Sequence, residues 1–444
     1  MLRESFLQHF ESITDPRQEG KIGHPLMSIF FITIAAFIAG YEVWESVVMW
    51  AEHNIEWLKR YIDLPFGIPS ESTFYRVFRI IDPKEFERRF IGWTLDIAKR
   101  NNDRSVAIDG KTLCGAKEGS GERSLFHIVS AWASDSGLTL GFLKTDVKSN
   151  EITTIPELLK LLSIEGDVVT IDAMGTQTKI AKQIVLENKA DYVLNLKTNQ
   201  PSMYNDTVLF FTGVDNECTK EAGMVSVNAG KSTDIDITST DISINVKSSA
   251  ELIIQCFSGT NPDDKMANIF NDLNTSPAFF EYNYQFKKTV DNGHGRIERR
   301  YYFLVPDVSW LSRYNEWADL KSVGMVICST TNKKSGEKTI YCRFYLTSLD
   351  NIDKFASSVR NHWGIESSHY ILDVVFSEDR DLTHTDNGPE NIALVRRLVR
   401  NLLKIEIDEF KKTHPKKKLS YDGLRCKAAL DINCLEKIMI NNLL

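Results

Sequence analysis

The sequence predicts an α/β protein in which a sheet-containing domain follows a helical N-terminal domain and carries a β-rich insertion. Two observations predict this class. The region from Ile29 to Tyr61 is rich in Ala, Trp, Glu and aliphatic residues and lacks the alternation typical of strands until its end. After Arg104, short β-rich runs alternate with helical patterns in the order βββαβαβ. The predicted parts are a helical domain at 1–100, a core at 104–200 and 348–405, an insertion at 201–347 and a tail at 406–444.

Composition and charge limit the classes of function. Hydrophobic residues make up 42% of the 444 residues and charged residues 25%, which is typical of a globular protein and excludes a disordered chain or a collagen. The net charge of −7 excludes a wholly basic surface, so any contact with nucleic acid has to come from local patches. Seven scattered cysteines without a C-x-x-C pair indicate reduced thiols in a cytoplasmic protein. The apolar stretch from Leu26 to Ala39 is shorter than the roughly 20 residues of a membrane span, which predicts a buried helix and no membrane partner.

The helix predicted after Gly67 is amphipathic. Phe74 and other apolar residues form one face, and Thr73, Arg76 and Arg79 lie on the other. Such a helix could enter a DNA groove, as in helix-turn-helix proteins. A solvated basic face explains the same pattern and is favoured, because the pattern alone is not specific.

Two aspartates end predicted strands of the core. The predicted strands are Ser105–Gly110, His127–Ala133, Gly137–Thr145, Asp167–Asp172 and Asp191–Lys197. Asp135-Ser-Gly137 predicts a hairpin turn between the second and the third. Asp109 ends the first strand and Asp172 the fourth, where side chains reach the rim of a sheet and sites in α/β proteins form. Each aspartate taken alone is better explained as a turn or helix-cap residue.

A third acid, Glu366, is predicted on a helix that begins near Asn351. Helical spacing places Phe355, Val359, His362, Glu366, His369 and Asp373 on one stripe that passes from apolar to polar. The polar part of the stripe therefore indicates a site. Its His and Glu spacing does not match the H-E-x-x-H pattern, which argues against zinc.

Together the three acids form an oxygen-only ligand set, which suits Mg²⁺ or Mn²⁺. Two such ions about 4 Å apart can activate a water or a 3′-hydroxyl and stabilise the leaving oxygen of a phosphodiester. The strand order, with acids after the first and fourth strands, is the ribonuclease-H-like arrangement. This match of order and placement is more specific than any single aspartate.

Several motifs resemble one family over most of the chain. They are Asp15-Pro-Arg17, Gly40-Tyr-Glu-Val-Trp-Glu45, Ala107-Ile-Asp-Gly-Lys-Thr112, Lys148-Ser-Asn-Glu-Ile-Thr-Thr-Ile-Pro-Glu-Leu-Leu159, Thr170-Ile-Asp-Ala-Met-Gly175, Lys197-Thr-Asn-Gln200, His294-Gly-Arg-Ile-Glu-Arg299, Asn361-His-Trp-Gly-Ile-Glu366 and Leu372-Asp-Val-Val375. The chain resembles the insertion-sequence DDE transposases, in particular the group that includes the H-repeat-associated proteins. The resemblance implies a ribonuclease-H-like catalytic domain, a β insertion before the glutamate, divalent-metal DNA cleavage and strand transfer. The family's catalytic, metal-binding triad falls on Asp109, Asp172 and Glu366.

One departure concerns the neighbours of the glutamate. Some related transposases have Arg four residues before it and Lys seven after it, where this chain has His362 and Asp373. Either this subgroup contacts DNA differently, or those roles belong to other residues such as Arg360 or Lys197.

Because the net charge is negative, the basic side chains that contact DNA have to lie in local patches. The candidates are Lys111, Lys197, Arg296, Arg299, Arg360 and His362. Arg396, Arg397, Arg400 and Lys404 form one face of a further predicted helix. A solvated face is the favoured explanation for that helix and for the arginines of the insertion, because phosphate contacts leave no sharp motif.

The leading hypothesis is a transposase that binds double-stranded DNA, namely the ends of a mobile element and its target, as a homodimer in the cytoplasm. A non-catalytic DNA-binding protein derived from such an element is the alternative of a different class. A nuclease of the same fold without strand transfer is the third. All three acids are present, which favours an enzyme.

Overall fold

The computed structural model describes residues 9–100, 105–113, 126–145, 151–212, 282–293, 295–381, 383 and 385–442. The chain divides into two compact units, Met1–Ser163 with Trp363–Leu444, and Ile164–His362. Across the described ranges, every helix is too short or too polar to cross a membrane. Helices and strands occur together in both units, which confirms the predicted mixed α/β class.

The elements have the following bounds. The helices are α1 (Leu26–Ile38), α2 (Trp44–His53), α3 (Ile55–Leu58), α4 (Glu71–Ile80), α5 (Pro83–Arg100), α6 (Glu151–Leu161), α7 (Thr178–Leu186), α8 (Pro201–Thr212), α9 (Ile352–His362), α10 (Gly364–Val374), α11 (Gly388–Thr413), α12 (Tyr421–Leu430) and α13 (Ile432–Asn442). The strands are β1 (Ser105–Leu113), β2 (Phe126–Ala133), β3 (Leu138–Lys144), β4 (Val168–Ile171), β5 (Asp191–Leu196), β6 (Gln285–Gly293), β7 (Arg296–Val305), β8 (Ser322–Asn332) and β9 (Lys338–Thr347).

The first unit is built around α1. Every residue of this helix except Met27 is buried, which confirms the predicted buried helix. Aromatic side chains from neighbouring helices surround it, and the Trp44 ring stacks on Phe74 with centroids 5.5 Å apart. Removing such rings from water stabilises the fold by about 1.5–3 kcal/mol per side chain. Helices α4, α5 and α11 complete the same apolar core.

The sheet of the first unit is antiparallel, with β1 beside β2 and β2 beside β3. Gly137 adopts a φ of +69° in the turn that joins β2 to β3, as the predicted hairpin requires. From α11, the Asn401 side chain accepts a hydrogen bond from the Thr139 N–H at 2.9 Å and donates to the Thr139 carbonyl at 2.8 Å. The helix thus satisfies backbone groups of β3 with a side-chain amide.

The second unit contains a larger mixed sheet in the order β4-β5-β9-β8-β7-β6. Strand β4 is parallel to β5, and the remaining pairs are antiparallel. The β-rich character predicted for the insertion is present from β6 to β9, and residues 213–281 of the insertion lie outside the described residues. Residues 201–212 form helix α8 instead of strands and turns. The predicted domain boundaries stay a prediction.

The prediction of a single helix from Asn351 through Glu366 is wrong, because this segment forms two helices. Helix α9 ends at His362 and α10 begins at Gly364, with Trp363 between them. A Cβ built on Gly364 would lie 2.0 Å from the Trp132 ring, so only glycine fits at this point. Glycine is a poor helix former, and here the close approach to Trp132 accounts for its presence.

Candidate active site

In the first unit, α10 packs against β1. Ala107 on the strand, Ile365 on the helix and Trp132 form a small buried apolar cluster. Alternate residues of a strand share a face, so Asp109 and Lys111 project on the same side as Ala107. The apolar cluster therefore sets the helix against the face of β1 that carries both polar side chains.

Asp109 lies beside a histidine of α10. Its Oδ2 atom is 3.8 Å from Nδ1 of His369. Burial, together with the positive charges of Arg397 and Lys111, lowers the pKa of His369 to about 3. The imidazole is therefore neutral at pH 7 and adds no formal positive charge beside Asp109. Among the described residues, the Nε2 atom of His369 has no hydrogen-bond partner.

Glu366 lies in the first turn of α10, with its side chain exposed. It precedes His369 by three residues, a spacing that puts both side chains on one side of a helix. Because His369 faces Asp109, the helix carries Glu366 on the side that meets β1. The two predicted catalytic acids of this unit thus belong to two elements in direct contact.

Lys111 is enclosed in the same unit. Its side chain is 8% exposed and pairs with Asp373, and its Nζ atom lies 3.0 Å from Oε2 of Glu378. Burial alone would raise the pKa of Glu378, but Arg397 and Lys111 lower it to about 2. A contact between Lys111 and DNA would require breaking these buried pairs, and that contact stays a prediction.

In the second unit, Asp172 follows β4 and precedes a short 3₁₀ turn over Ala173–Gly175. The Asn195 amide donates to Oδ1 of Asp172 at 2.8 Å, and Nζ of Lys197 lies 3.2 Å from the same oxygen. Burial tends to raise the pKa of Asp172, but the Ala173 N–H, the Lys197 ammonium and the Asn195 amide together lower it. The carboxylate is therefore ionised at neutral pH and remains 44% exposed.

His362, at the end of α9, is also near this acid. Its Nδ1 atom is 2.8 Å from Oγ1 of Thr170 on β4. Burial and the positive charges of Arg343 and Lys197 lower the pKa of His362 to about 4, although the nearby Asp172 carboxylate raises it. A neutral ring could contact DNA as a hydrogen-bond donor and not as a cation.

The predicted basic cluster of the insertion lies on the β6–β7 hairpin and is partly balanced by acids. The Nε atom of Arg296 is 3.4 Å from Glu298, and that of Arg360 is 3.4 Å from Asp291. Arg300 is buried and pairs with both acids. Arg296 and Arg360 are half exposed, and Arg299 is partly exposed. Their contact with DNA stays a prediction.

The basic face expected on α11 is neither solvated nor available to DNA. Arg396, Arg397 and Arg400 are all buried. Arg396 donates to Glu42 at 2.9 Å and pairs with Asp381 at 2.7 Å. Arg400 donates to the Gly137 carbonyl at 2.8 Å. The favoured explanation, a solvated face, is therefore wrong, because contacts within the fold hold these three arginines.

The donor set suits a hard cation, since the three predicted ligands are carboxylates that solvent reaches at least in part. In neither unit do the described residues bring three or more His, Cys, Asp or Glu side chains close enough to hold a metal ion. Asp109 and Glu366 belong to the first unit and Asp172 to the second. The convergence of all three on one cation stays a prediction.

Comparison with known protein families gives two matches. The family described as DDE_Tnp_1-associated matches residues 7–94, and the family described as Transposase DDE domain matches residues 77–243. Both Asp109 and Asp172 lie within the second match.

Several known proteins are similar to almost the whole chain. "Putative transposase YncI" from Escherichia coli O157:H7 is 31% identical over 406 residues, which cover 90% of this chain and 87% of that protein. "H repeat-associated putative transposase YhhI" from Escherichia coli K12 is 30% identical over 98% of both chains. "Putative protein YbfL" from the same strain is 31% identical over 98% of both.

Among solved structures, a synaptic complex of piggyBac transposase with hairpin DNA aligns with 99% of this chain and 78% of its own, at 11% identity. Its TM-score of 0.34 is too low to support a conclusion. The family matches and the full-length relatives, in contrast, show the family of this chain. This chain belongs to the insertion-sequence DDE transposase family, in the group that includes the H-repeat-associated proteins.

Proposed function

We propose that this protein is an active DDE transposase with a ribonuclease-H-like catalytic core. It would cut double-stranded DNA at the ends of an insertion sequence and join those ends to a target. Asp109, Asp172 and Glu366 would be its catalytic residues and would hold Mg²⁺ or Mn²⁺. The observation that carries the proposal is the packing of α10 on β1, which sets the helix of Glu366 against the strand of Asp109.

The electrostatics of each acid support this role. Asp172 is ionised and accessible, so it can act as a ligand without first losing a proton. The imidazole of His369 beside Asp109 is neutral and adds no positive charge to balance this carboxylate. Asp109 would therefore benefit from a divalent cation, which neutralises carboxylates that otherwise repel one another.

Bound divalent ions would supply the charge that activates a nucleophile and stabilises the leaving oxygen of a phosphodiester. The chain's own residues would bind and orient the DNA. Lys197 is half exposed beside Asp172, so its ammonium can exchange the carboxylate for a phosphate oxygen when DNA arrives. His362 is neutral and can donate one hydrogen bond without adding charge.

Partners and location follow from the same proposal. Double-stranded DNA of the element ends and of the target would be the substrate, with the protein acting as a homodimer in the cytoplasm. Arg296, Arg299 and Arg360 lie on or beside one hairpin of the second unit and would contact phosphates.

The test is incubation of the full-length protein with DNA that carries the repeats flanking its own locus, with Mg²⁺, with Mn²⁺ and with EDTA. Cleavage and joining that need Mg²⁺ or Mn²⁺ support the proposal. Cleavage without joining indicates a nuclease of the same fold, and binding without cleavage indicates a non-catalytic DNA-binding protein. Full activity in EDTA, or dependence on Zn²⁺ alone, contradicts the metal assignment.

A further inference from the structure

Lys111 follows Asp109 by two residues, yet it points into the protein and not towards solvent. It contacts Asp373 of α10 and Glu378 of the following 3₁₀ turn. Glu378 also pairs with Arg397 of α11, with Nη2 of Arg397 3.3 Å from Oε2 of Glu378. Two cations and two carboxylates therefore balance in one group, which we call the buried charge network: Lys111, Asp373, Glu378 and Arg397.

Successive residues on one face of β1 contact successive residues on one face of α10. On the strand, Asp109 and Lys111 share a face; on the helix, His369 and Asp373 share a face at a spacing of four. Asp109 faces His369, and Lys111 faces Asp373. A shift of the helix by one turn, about 5.4 Å, would separate both pairs at once.

We propose that the buried charge network fixes the register of α10 on β1 and thereby holds Glu366 where it shares a divalent cation with Asp109. The proposal rests on the function proposed above. Lys111, Asp373, Glu378 and Arg397 are then positioning residues, which act through the helix and touch neither DNA nor cation. Asp373 has this role because its partner is on the strand that carries Asp109.

The network is suited to this role because of its burial. Glu378 and Arg397 are both fully buried, so removing one member leaves an uncompensated charge in a site of low dielectric. Asp109 and Glu366 repel each other when no cation is bound, a force that tends to move α10 away from β1. The pairs made by Lys111 oppose that movement.

The test compares Lys111→Met, which keeps the aliphatic stem, with Lys111→Arg, which keeps the charge. Two quantities are measured in the full-length protein: Mn²⁺ affinity by calorimetry, and hydrogen exchange of the α10 amides in EDTA. We expect Lys111→Met to weaken Mn²⁺ binding about tenfold and to speed α10 exchange about tenfold, each about 1.4 kcal/mol. Lys111→Arg should stay within about threefold of the wild type in both.

Arg17→Met is the control, because Arg17 belongs to the same unit, has a side chain that is 15% exposed, and binds Asp15 and the His24 carbonyl, none of them in the network. It should lower the thermal midpoint as Lys111→Met does without changing Mn²⁺ affinity. If Lys111→Met does not fold, Asp373→Asn replaces it, at a less buried position, with an expected threefold or so loss of Mn²⁺ affinity.

Unchanged Mn²⁺ affinity and α10 exchange in Lys111→Met would overturn the proposal, as would equal effects in Arg17→Met. The failure of the proposed function is a separate result: a wild-type protein that cuts no DNA in Mg²⁺ or Mn²⁺. Hydrogen exchange in EDTA needs neither DNA nor metal, so it decides in that case whether the network holds α10.

Discussion

The Lys197 ammonium lies 3.2 Å from Oδ1 and 3.4 Å from Oδ2 of Asp172, and its charge helps to lower the pKa of that carboxyl. The lysine side chain is 52% exposed, so it is tied to the acid and still accessible to DNA. We therefore predict that Lys197 contacts a DNA phosphate beside Asp172.

We expect Lys197→Ala to slow Mg²⁺-supported cleavage about tenfold, because one phosphate contact next to the reacting bond is lost. The slope of log affinity against log salt should fall by about 1. Lys189→Ala is the control, since Lys189 is an exposed lysine of the same unit that pairs with Glu165. Equal behaviour of the two variants in cleavage and salt dependence would show that Lys197 has no special role.

A second prediction concerns the hairpin formed by β6 and β7. Arg296→Ala combined with Arg299→Ala should weaken DNA binding and reduce its salt slope by about 2, since each lost phosphate contact reduces the slope by about 1. Arg313→Ala is the matched control, because Arg313 is similarly exposed in the same unit and pairs only with a neighbouring acid, Glu316. If affinity and slope in the double variant equal those of the wild type, the two arginines form a solvated face.

The buried helix α1, the β2–β3 hairpin and the position of Asp172 after β4 could be predicted from the sequence, because each depends on a local pattern. The prediction that Asp109 ends its strand is wrong, because β1 continues to Leu113 and Asp109 lies in its middle. Fourteen nearly continuous apolar residues leave few alternatives to burial. A turn with glycine at positive φ is likewise visible from neighbouring residues.

Contacts between distant residues explain what could not be predicted. The arginines of α11 have the spacing of an exposed basic face, but they are buried. Arg396, for example, pairs with Glu42, which is more than 350 residues earlier, and with Asp381, which precedes the helix. The requirement for glycine at position 364 depends on Trp132, more than 200 residues earlier. The role of Asp373 depends on Lys111 in the same way. No local pattern contains these partners.

Acid should destabilise the first unit through Glu378. Its pKa in the folded protein, about 2, lies below its ordinary value of 4.5, so the ionised form stabilises the fold above about pH 4.5. That contribution is lost as the pH falls from 4.5 towards 2. Glu378→Gln should cost about 3–5 kcal/mol at pH 7, because Arg397 and Lys111 lose a buried partner.

Urea unfolding at a series of pH values between 7 and 3 measures this contribution. The stability of Glu378→Gln should depend less on pH below 4.5 than that of the wild type. Glu165→Gln is the control, since Glu165 is an exposed acid that pairs with Lys189 on the surface, so its loss should leave the acid response of the protein unchanged. A Glu378→Gln protein with wild-type stability at pH 7 would contradict the importance of the pair.

The last prediction concerns the three acids together. Asp109→Asn, Asp172→Asn and Glu366→Gln should each reduce Mg²⁺-supported cleavage about 10³-fold or more, equivalent to about 4 kcal/mol of transition-state stabilisation. DNA binding in EDTA should remain within about twofold, because phosphate contacts by basic residues position the duplex. Glu165→Gln, at an exposed acid away from the proposed ligands, should change neither quantity.

The same variants should differ in stability without metal, which tests the environment of each acid separately. Asp109→Asn and Glu366→Gln remove one of two mutually repelling charges, so the thermal midpoint in EDTA should rise slightly. Asp172→Asn should not gain stability, because Asp172 loses its pairing with Lys197. A Glu366→Gln protein that cuts DNA at the wild-type rate would refute the site assignment. So would Mn²⁺ affinity that is unchanged in all three variants, because a shared cation requires each carboxylate to contribute.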